Sequence, residues 1–292
     1  MKRLPPLPTI ADLIRLYGLS AKSQLSQNFL LDLNITDKLV RSAGNLTGCV
    51  VCEVGPGPGA LTRSILNAGP ATVIAIEKDR RFQPSLELLS EASGACDKHV
   101  SRKTWEEDPP DLHILGNLPF NVSIPLLLQW LSLIPKRQGP FLFGRTQLTL
   151  TFQKEVADRI MAVPDHPQRS RLSIMAQHLC DIKLCFNMPG AVFVPRPKVD
   201  ATVLKFTPRV VPKIDVEYNV LETVVKTVFQ YRRKFIRRGA SLLFPGQPDR
   251  VVELFRLSGV DETLRPQQLT LENFRDLTFG YRKILGNLSS ET

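Results

Sequence analysis

The stretch Val50-Val51-Cys52-Glu53-Val54-Gly55-Pro56-Gly57-Pro58-Gly59-Ala60-Leu61-Thr62 constrains this chain more than any other. It opens on an apolar run, the pattern of a buried strand. Three glycines spaced two apart follow, and a helical pattern runs from Ala60 to Ala68. Glycine lets a backbone take unusual dihedrals and lets a ligand approach closely. The free N–H groups at a helix start add a partial positive charge. Strand, glycine turn and helix together predict a nucleotide-type cradle in an α/β fold. A Pro/Gly-rich surface turn is the competing reading. It is weakened by Val73-Ile74-Ala75-Ile76-Glu77, a second buried-strand pattern that also ends in an acid. In folds of this type an acid about twenty residues past the glycine loop bonds the ribose hydroxyls.

The glycine spacing narrows the ligand. Dinucleotide folds favour G-x-G-x-x-G, with the third glycine inside the helix. Here the third glycine comes one residue sooner, and Glu53 precedes the first by two. That E-x-G-x-G-x-G form resembles the cofactor loop of Rossmann-like methyltransferases, which implies S-adenosyl-L-methionine. Glu53 and the loop carbonyls are candidates for its ammonium, and Glu77, with Lys78 beside it, for its ribose.

Charge points to a large partner. Lys and Arg total 38 against 28 acids, a net charge of +10, so a polyanion is expected. The five cysteines are scattered. Cys49 and Cys52 fall within a predicted strand, where residues three apart point to opposite faces. No histidine cluster completes a zinc site, so no metal is expected and the thiols are read as reduced. No apolar run reaches the length of a membrane span. Neither a clean secretory signal nor a convincing Arg-rich presequence is present, so sequence physics alone leaves the compartment open.

Taken in order, the chain predicts a first helix with Ile10, Leu13, Ile14 and Leu16 on one face, capped at Thr9 or Asp12. A second helix runs over Asn34–Ala43. Strands are expected at Cys49–Val54, Val73–Glu77, Leu112–Leu115, Gln147–Phe152, Asp181–Phe186 and Thr202–Phe206. Helices are expected from Asp79 or Arg80 to Ala92, and over Ile124–Leu133, Gln153–Ala162 and Arg171–Leu179. Between Ser93 and Asp111 the composition is that of a loop. Phe193–Asp200 is a proline-stiffened connector. Composition shifts beyond Pro208, which sets two domains, 1–208 and 209–292. In the second, one helix over Val220–Gly239 carries Arg232, Arg233, Lys234, Arg237 and Arg238, with Arg233 and Arg237 on one face. Val251–Ser258 and Leu271–Leu285 are further amphipathic segments.

The chemistry is carried by Asn117-Leu118-Pro119-Phe120, which leaves the C-terminal end of a predicted strand. Ligands in open parallel sheets bind outside those ends. An exocyclic amine on a planar base is a poor nucleophile, because its lone pair is delocalised into the ring. The Asn117 side chain and the Leu118 carbonyl could both accept from it and favour a pyramidal nitrogen. Phe120 could stack on the base, and Pro119 fixes the turn. Catalysis of this kind is positioning and electrostatics. A proline turn with Phe120 in the core is the structural alternative.

These motifs, with Gln27-Asn28-Phe29-Leu30, Gln153–Ala157, Arg171-Leu172-Ser173 and Phe193–Asp200, resemble the ribosomal RNA adenine dimethyltransferase family over nearly the whole chain. Gln24–Asp32, Trp105–Pro110 and Leu264-Arg265-Pro266 are similar to its animal mitochondrial branch. The resemblance implies an α/β Rossmann-like S-adenosylmethionine-dependent methyltransferase sheet with a small C-terminal helical domain. It implies two methyl groups on each of two adjacent adenines in the 3′-terminal stem-loop of mitochondrial small-subunit rRNA, in the assembling small ribosomal subunit. The compartment implied is the mitochondrial matrix and the state a monomer, with no membrane and with mitochondrial RNA polymerase as a further partner. Carried over, Gln27, Asn28, Leu30, Gly55, Gly57, Glu77, Lys78 and Asn117 hold the cofactor. Asn117, Leu118, Pro119 and Phe120 are catalytic, and Phe120 and Phe193 sandwich the base. The five cations at 232–238 hold RNA.

One departure stands out. The family has a strand after the Glu77 helix, ending in a Gly-Asp-hydrophobic-Leu motif whose Asp binds the cofactor's adenine. Here Ser93–Asp111 takes its place, with Asp97 or Glu106 as the available acids. The missing strand is the outermost of its side, so its loss would leave Val73–Ile76 at the edge and weaken the grip on the adenine. Two other readings compete. One is an RNA-binding or transcription-associated protein with weak or no transfer activity. The other is a nucleotide-dependent oxidoreductase, which the glycine spacing and the 117–120 tetrad disfavour.

Overall fold

The computed structural model describes residues 4–21, 27–93 and 100–289. The described chain divides into two compact units. The first comprises Met1–Ala157 and Asp181–Val210, the second Asp158–Cys180 and Val211–Thr292. The sequence boundary at 208/209 assigns 158–180 to the first domain, whereas the structure groups it with the second unit. A buried Arg169 is one reason. Its guanidinium donates to the carbonyls of Ala162 (2.8 Å) and Leu269 (3.1 Å) and to Gln177 Oε1 (3.3 Å). That cation binds the segment to residues 100 positions further along the chain.

The first unit is built on a six-stranded sheet. Its strands are β2 (Val50–Val54), β3 (Thr72–Ile76), β4 (Leu112–Gly116), β5 (Gln147–Gln153), β6 (Cys180–Met188) and β8 (Ala201–Pro208). The order is β3-β2-β4-β5-β8-β6. β3, β2, β4 and β5 are parallel, and β8 runs antiparallel to β5. The chain leaves β2 outward to β3 and then returns across it to β4. This reversal places the crevice of a doubly wound sheet between β2 and β4, at their C-terminal ends. Helices α2 (Leu33–Ala43), α3 (Ala60–Asn67), α4 (Gln83–Ser93), α5 (Phe120–Leu133) and α6 (Lys154–Met161) are threaded between the strands. α1 (Ile10–Leu16) is capped by a reciprocal Thr9–Asp12 box and buries Ile10 and Leu13, while Leu16 points out to solvent. A two-stranded ribbon pairs β1 (Phe29–Leu30) with β7 (Phe193–Val194). It falls inside segments that read from sequence as a mixed polar stretch and a connector, and two residues per strand are too few to leave a periodic signal.

α5 starts at Phe120, four residues before its expected start. Pro119 stands at its N-cap, and the helix accommodates Pro125 inside its first turns. As expected, residues 100–111 form neither helix nor strand. They are nevertheless well anchored. The Trp105 indole donates to the carbonyls of Arg209 (3.1 Å) and Val210 (3.0 Å), and Arg145 Nε donates back to the Trp105 carbonyl (2.8 Å). No strand lies outside β3 among the described residues, so Thr72–Ile76 is the sheet edge, and Ile76 is 54% exposed.

The second unit is helical. Beyond Val211 it contains α8 (Tyr218–Val228), α9 (Ile236–Ala240), α10 (Pro248–Ser258) and α11 (Leu271–Ser289), with α7 (Arg171–Leu179) from the earlier segment. Its core includes Leu221, Val224, Leu254 and Phe274, the last stacked on Phe229 at 5.8 Å. The single helix expected over 220–239 is broken at 232–235. α9 folds back so tightly that a Cβ on Gly239 would meet the Val228 carbonyl at 2.8 Å. Ile236 N–H donates to the Leu264 carbonyl (2.8 Å), which pins the turn.

Two buried titratable groups in the sheet set opposite pH limits. Burial pushes the Glu53 carboxyl up to about 8, with the charge of Glu77 adding and the Thr62 hydroxyl opposing. Burial, with Lys205 adding, pushes His113 down to about 4. Between pH 4.5 and 8 the folded chain keeps a Glu53 proton that the unfolded chain releases, so Glu53 lowers stability as pH rises through that window. His113 acts in the other direction, costing stability as pH falls from 6.5 toward 4. Above pH 6.5 the His113 effect fades and the Glu53 effect dominates the pair. Glu53→Gln should therefore flatten the fall in melting temperature between pH 6.5 and 8, removing a slope of up to about 1.4 kcal/mol per pH unit. Parallel melting profiles for the two proteins would show that Glu53 does not titrate there.

Candidate cofactor and base site

The glycine loop between β2 and α3 is a run of alternating left-handed turns. Gly55, Gly57 and Gly59 have φ of +73°, +54° and +92°, which L side chains rarely adopt. Around the loop lies an open cleft. Its lining brings together Gln27, Asn28, Leu30, Gly55, Gly57, Glu77, Asn117 and Pro119, which are eight of the residues named from sequence. Phe29 and Phe82 also line it and meet edge to face at 5.5 Å.

Glu77 closes the loop onto the end of β3. One carboxylate oxygen accepts from Gly57 N–H (3.0 Å) and the other from Asp79 N–H (2.8 Å). Asp79 is in turn gripped by Arg81, whose Nη2 reaches it at 2.6 Å, and by Gln27 Nε2 at 3.1 Å. Hydrogen bonds from Arg81 hold the Asp79 carboxyl well below the usual carboxylate range. Arg81 also donates to Gln27 Oε1 (3.3 Å) and to the Ser20 carbonyl (3.0 Å). Gln27 is thus positioned by an Asp79–Arg81 pair that sequence reading missed. Its only signal was the charged run Glu77-Lys78-Asp79-Arg80-Arg81.

Asn117 sits where β4 leaves the sheet. Gly116 before it is forced by crowding, since a Cβ there would meet the Val54 carbonyl at 2.9 Å. The Asn117 amide is fixed on both sides. Its Nδ2 donates to the Asn28 carbonyl (3.4 Å), and its Oδ1 accepts from the Thr151 hydroxyl (2.9 Å). An amide oxygen has two acceptor sites, so Oδ1 retains one for a substrate. Thr151 is a second residue that sequence reading missed. It lies on β5, one step past the Gly116–Leu150 register pair.

Other sequence-named residues lie elsewhere. Glu53 is 0% exposed and does not line the cleft, so it does not meet a ligand's ammonium. Lys78 is exposed and absent from the lining. The Leu118 side chain is buried, and Phe120 packs partly buried against the core of the first unit. Phe193 is 2% exposed. Pairing with Leu30 in the β1–β7 ribbon carries its ring into that same core, leaving no face for a base. Asp97 lies outside the described residues, and Glu106 is exposed and absent from the lining.

In the second unit Arg232, Arg233 and Lys234 occupy the turn after α8, exposed and without an ion pair among the described residues. Arg237 and Arg238 lie on α9, so Arg233 and Arg237 are not neighbours on one helix face. Arg237 pairs with Glu262 at 2.6 Å, and Arg238 lies over the Tyr231 ring at 5.3 Å.

Residues 18–277 match the family described as ribosomal RNA adenine dimethylase. The chain belongs to that family. It is 52% identical over 301 residues to dimethyladenosine transferase 1, mitochondrial, of Xenopus tropicalis, covering 97% of this chain and 87% of that protein. With the Homo sapiens protein of the same name the identity is 51% over 300 residues, covering 97% and 87%. A crystal structure of a dimethyladenosine transferase from Plasmodium falciparum superposes with a TM-score of 0.68 at 21% identity, covering 86% of this chain and 96% of that one. That likeness establishes the fold. The 301-residue match to the Xenopus tropicalis protein exceeds this chain's 292 residues, so that dimethylase carries residues inside the matched range that this chain lacks.

The residues present suit the dimethylase cofactor. A Cβ on Gly55 or Gly57 would come only within 3.9 Å of Pro119 or Phe29, both lining residues, and would stand in the cleft itself. By contrast, a Cβ on Gly59 would meet Leu89 at 2.5 Å. The two glycines should therefore separate in their effects. Gly57→Ala should weaken cofactor binding by more than it lowers the melting temperature. Both variants carry positive-φ strain of about 1–2 kcal/mol, to which Gly59→Ala adds the Leu89 collision, so Gly59→Ala should mainly destabilise. Titration calorimetry beside thermal unfolding checks both, and equal effects of the two variants on affinity would contradict this assignment.

Proposed function

We propose that this chain transfers methyl groups from S-adenosyl-L-methionine to the exocyclic amines of two adjacent adenines, two to each, in the 3′-terminal stem-loop of mitochondrial small-subunit rRNA. The observation that carries the proposal is Asn117. Its amide faces the same cleft as the glycine loop and is oriented by Thr151 and the Asn28 carbonyl. The cofactor supplies an electrophilic methyl group on a sulfonium. Everything else asked of the protein is positioning. Asn117 Oδ1 and the Leu118 carbonyl accept from the amine's N–H groups, drawing its lone pair out of the ring. Pro119 contributes no N–H to compete with them. Glu77 is placed to take the ribose hydroxyls, and Gln27, Asn28, Leu30, Gly55 and Gly57 to line the remainder.

Phe120, next to Asn117, supplies a ring for stacking after a modest rotation out of its half-buried position. The turn at 232–234 supplies free cations for phosphate, with Arg237 and Arg238 beside it. The family description and the excess of basic residues support an rRNA substrate, and the relatives' names support a mitochondrial one. A second reading, an RNA-binding protein with weak transfer activity, draws support from the β3 edge, which no strand among the described residues pairs.

Mass spectrometry of a synthetic stem-loop after incubation with enzyme and cofactor tests the assignment. Two adjacent dimethyladenines are the expected product. Asn117→Ala should slow transfer by about 100-fold or more, the usual cost of removing one electrostatic stabiliser, while RNA affinity stays nearly unchanged. Arg232→Glu with Arg233→Glu should weaken RNA binding and flatten its salt dependence, by about one unit of slope for each phosphate no longer neutralised. Methylation at another base, or equal loss of affinity and rate in Asn117→Ala, would overturn the assignment.

A further inference from the structure

We infer that the cofactor cleft is open at its purine end, and that the chain accepts adenosine cofactors carrying bulky groups on the purine amine. This rests on the cofactor reading above. The direction in which the cofactor lies follows from sheet order. Asn117 marks the end of β4, Gly55 and Gly57 the end of β2, and Glu77 the end of β3. The reacting methyl must sit beside Asn117 and the ribose beside Glu77. The purine then lies further along the same line, past β3.

Nothing in the sheet stands beyond β3 among the described residues. The β3 ladder faces β2 alone. The Ile76 carbonyl accepts from Gly55 N–H on the β2 side (2.9 Å). Backbone groups alternate sides along a strand, so those of Val73 and Ala75 face outward. They face an open groove of about 860 Å³ between the β3 edge and α4, walled by Val73, Ala75, Gln83, Leu86 and Ser90. Glu77 lines both the cleft and this groove, so the two spaces adjoin at the ribose position. Asp79 also borders the groove, but its carboxylate is already held by Arg81 and Gln27. Among the described residues no strand walls the purine amine on this side, and a substituent on it has the groove to enter.

Calorimetric titration tests this with two compounds, S-adenosylhomocysteine and its derivative benzylated on the purine amine. The two should bind within about threefold of each other, because a group entering open space adds little cost. A loss of about 30-fold or more for the benzyl compound would mean an enclosing wall and would overturn the inference. Gln83→Trp narrows the groove without touching the cleft. In that variant the benzyl compound should weaken by about fivefold or more, while S-adenosylhomocysteine binds as before and so reports an intact fold. An unchanged benzyl affinity in Gln83→Trp would overturn the route through the groove. If unsubstituted S-adenosylhomocysteine fails to bind the unmodified chain, the cofactor reading itself falls, a result distinct from selective rejection of the benzyl group.

Discussion

The two oxygens of Glu77 hold the site together. One takes the N–H of Gly57 and the other that of Asp79, so a single carboxylate ties the glycine loop after β2 to the chain leaving β3. Without that bridge the left-handed turn at Gly57 would lack a fixed partner. With it, Asp79 is placed for Arg81, Arg81 for Gln27, and Gln27 for the cleft. On the opposite side Thr151 does the same for Asn117. The cleft is thus set by hydrogen bonds from strand ends, which is where a doubly wound sheet presents its ligands. The carboxylate that organises the loop is also the one that the proposed function assigns to the ribose, which would make loop geometry and ligand recognition depend on the same atoms.

Much of this was legible in the sequence because it depends on local chemistry. Alternate glycines after an apolar run allow few backbones other than the one found. An acid at the end of the next strand must lie beside them when the two strands are parallel neighbours, as Val54 and Ile76 are. What escaped depends on contacts between distant segments. Phe193 reads as a free aromatic in a proline-rich connector, yet its pairing with Leu30 buries it. The break in the helix at 232–235 is set by the approach of Gly239 to Val228. Nothing in the residue pattern of 220–239 reveals that approach. Glu53 looked like a ligand contact because it adjoins the loop, but strand alternation turns it into the interior.

The edge at β3 was also foreseeable, since Ser93–Asp111 offered no strand. The structure adds how the shortcut is accommodated. Trp105 and Arg145 fasten residues 100–111 to the ends of β5 and β8, and the loss falls at one margin of the sheet. The sheet interior, from β2 through β8, keeps its pairing. An edge without charge or proline, bearing exposed Ile74 and Ile76, is the kind of surface natural sheets usually cover. In this member of the dimethylase family it borders the cofactor cleft directly.

The central claim is that one cleft, running from Asn117 across the glycine loop to Glu77, binds the cofactor. Hydrogen-exchange mass spectrometry with and without S-adenosylhomocysteine measures this most directly. The account predicts new protection confined to residues 27–30, 54–61, 77–82 and 116–119, with α4 and the second unit unchanged. Protection centred on another part of the chain, with these four segments unaffected, would contradict it.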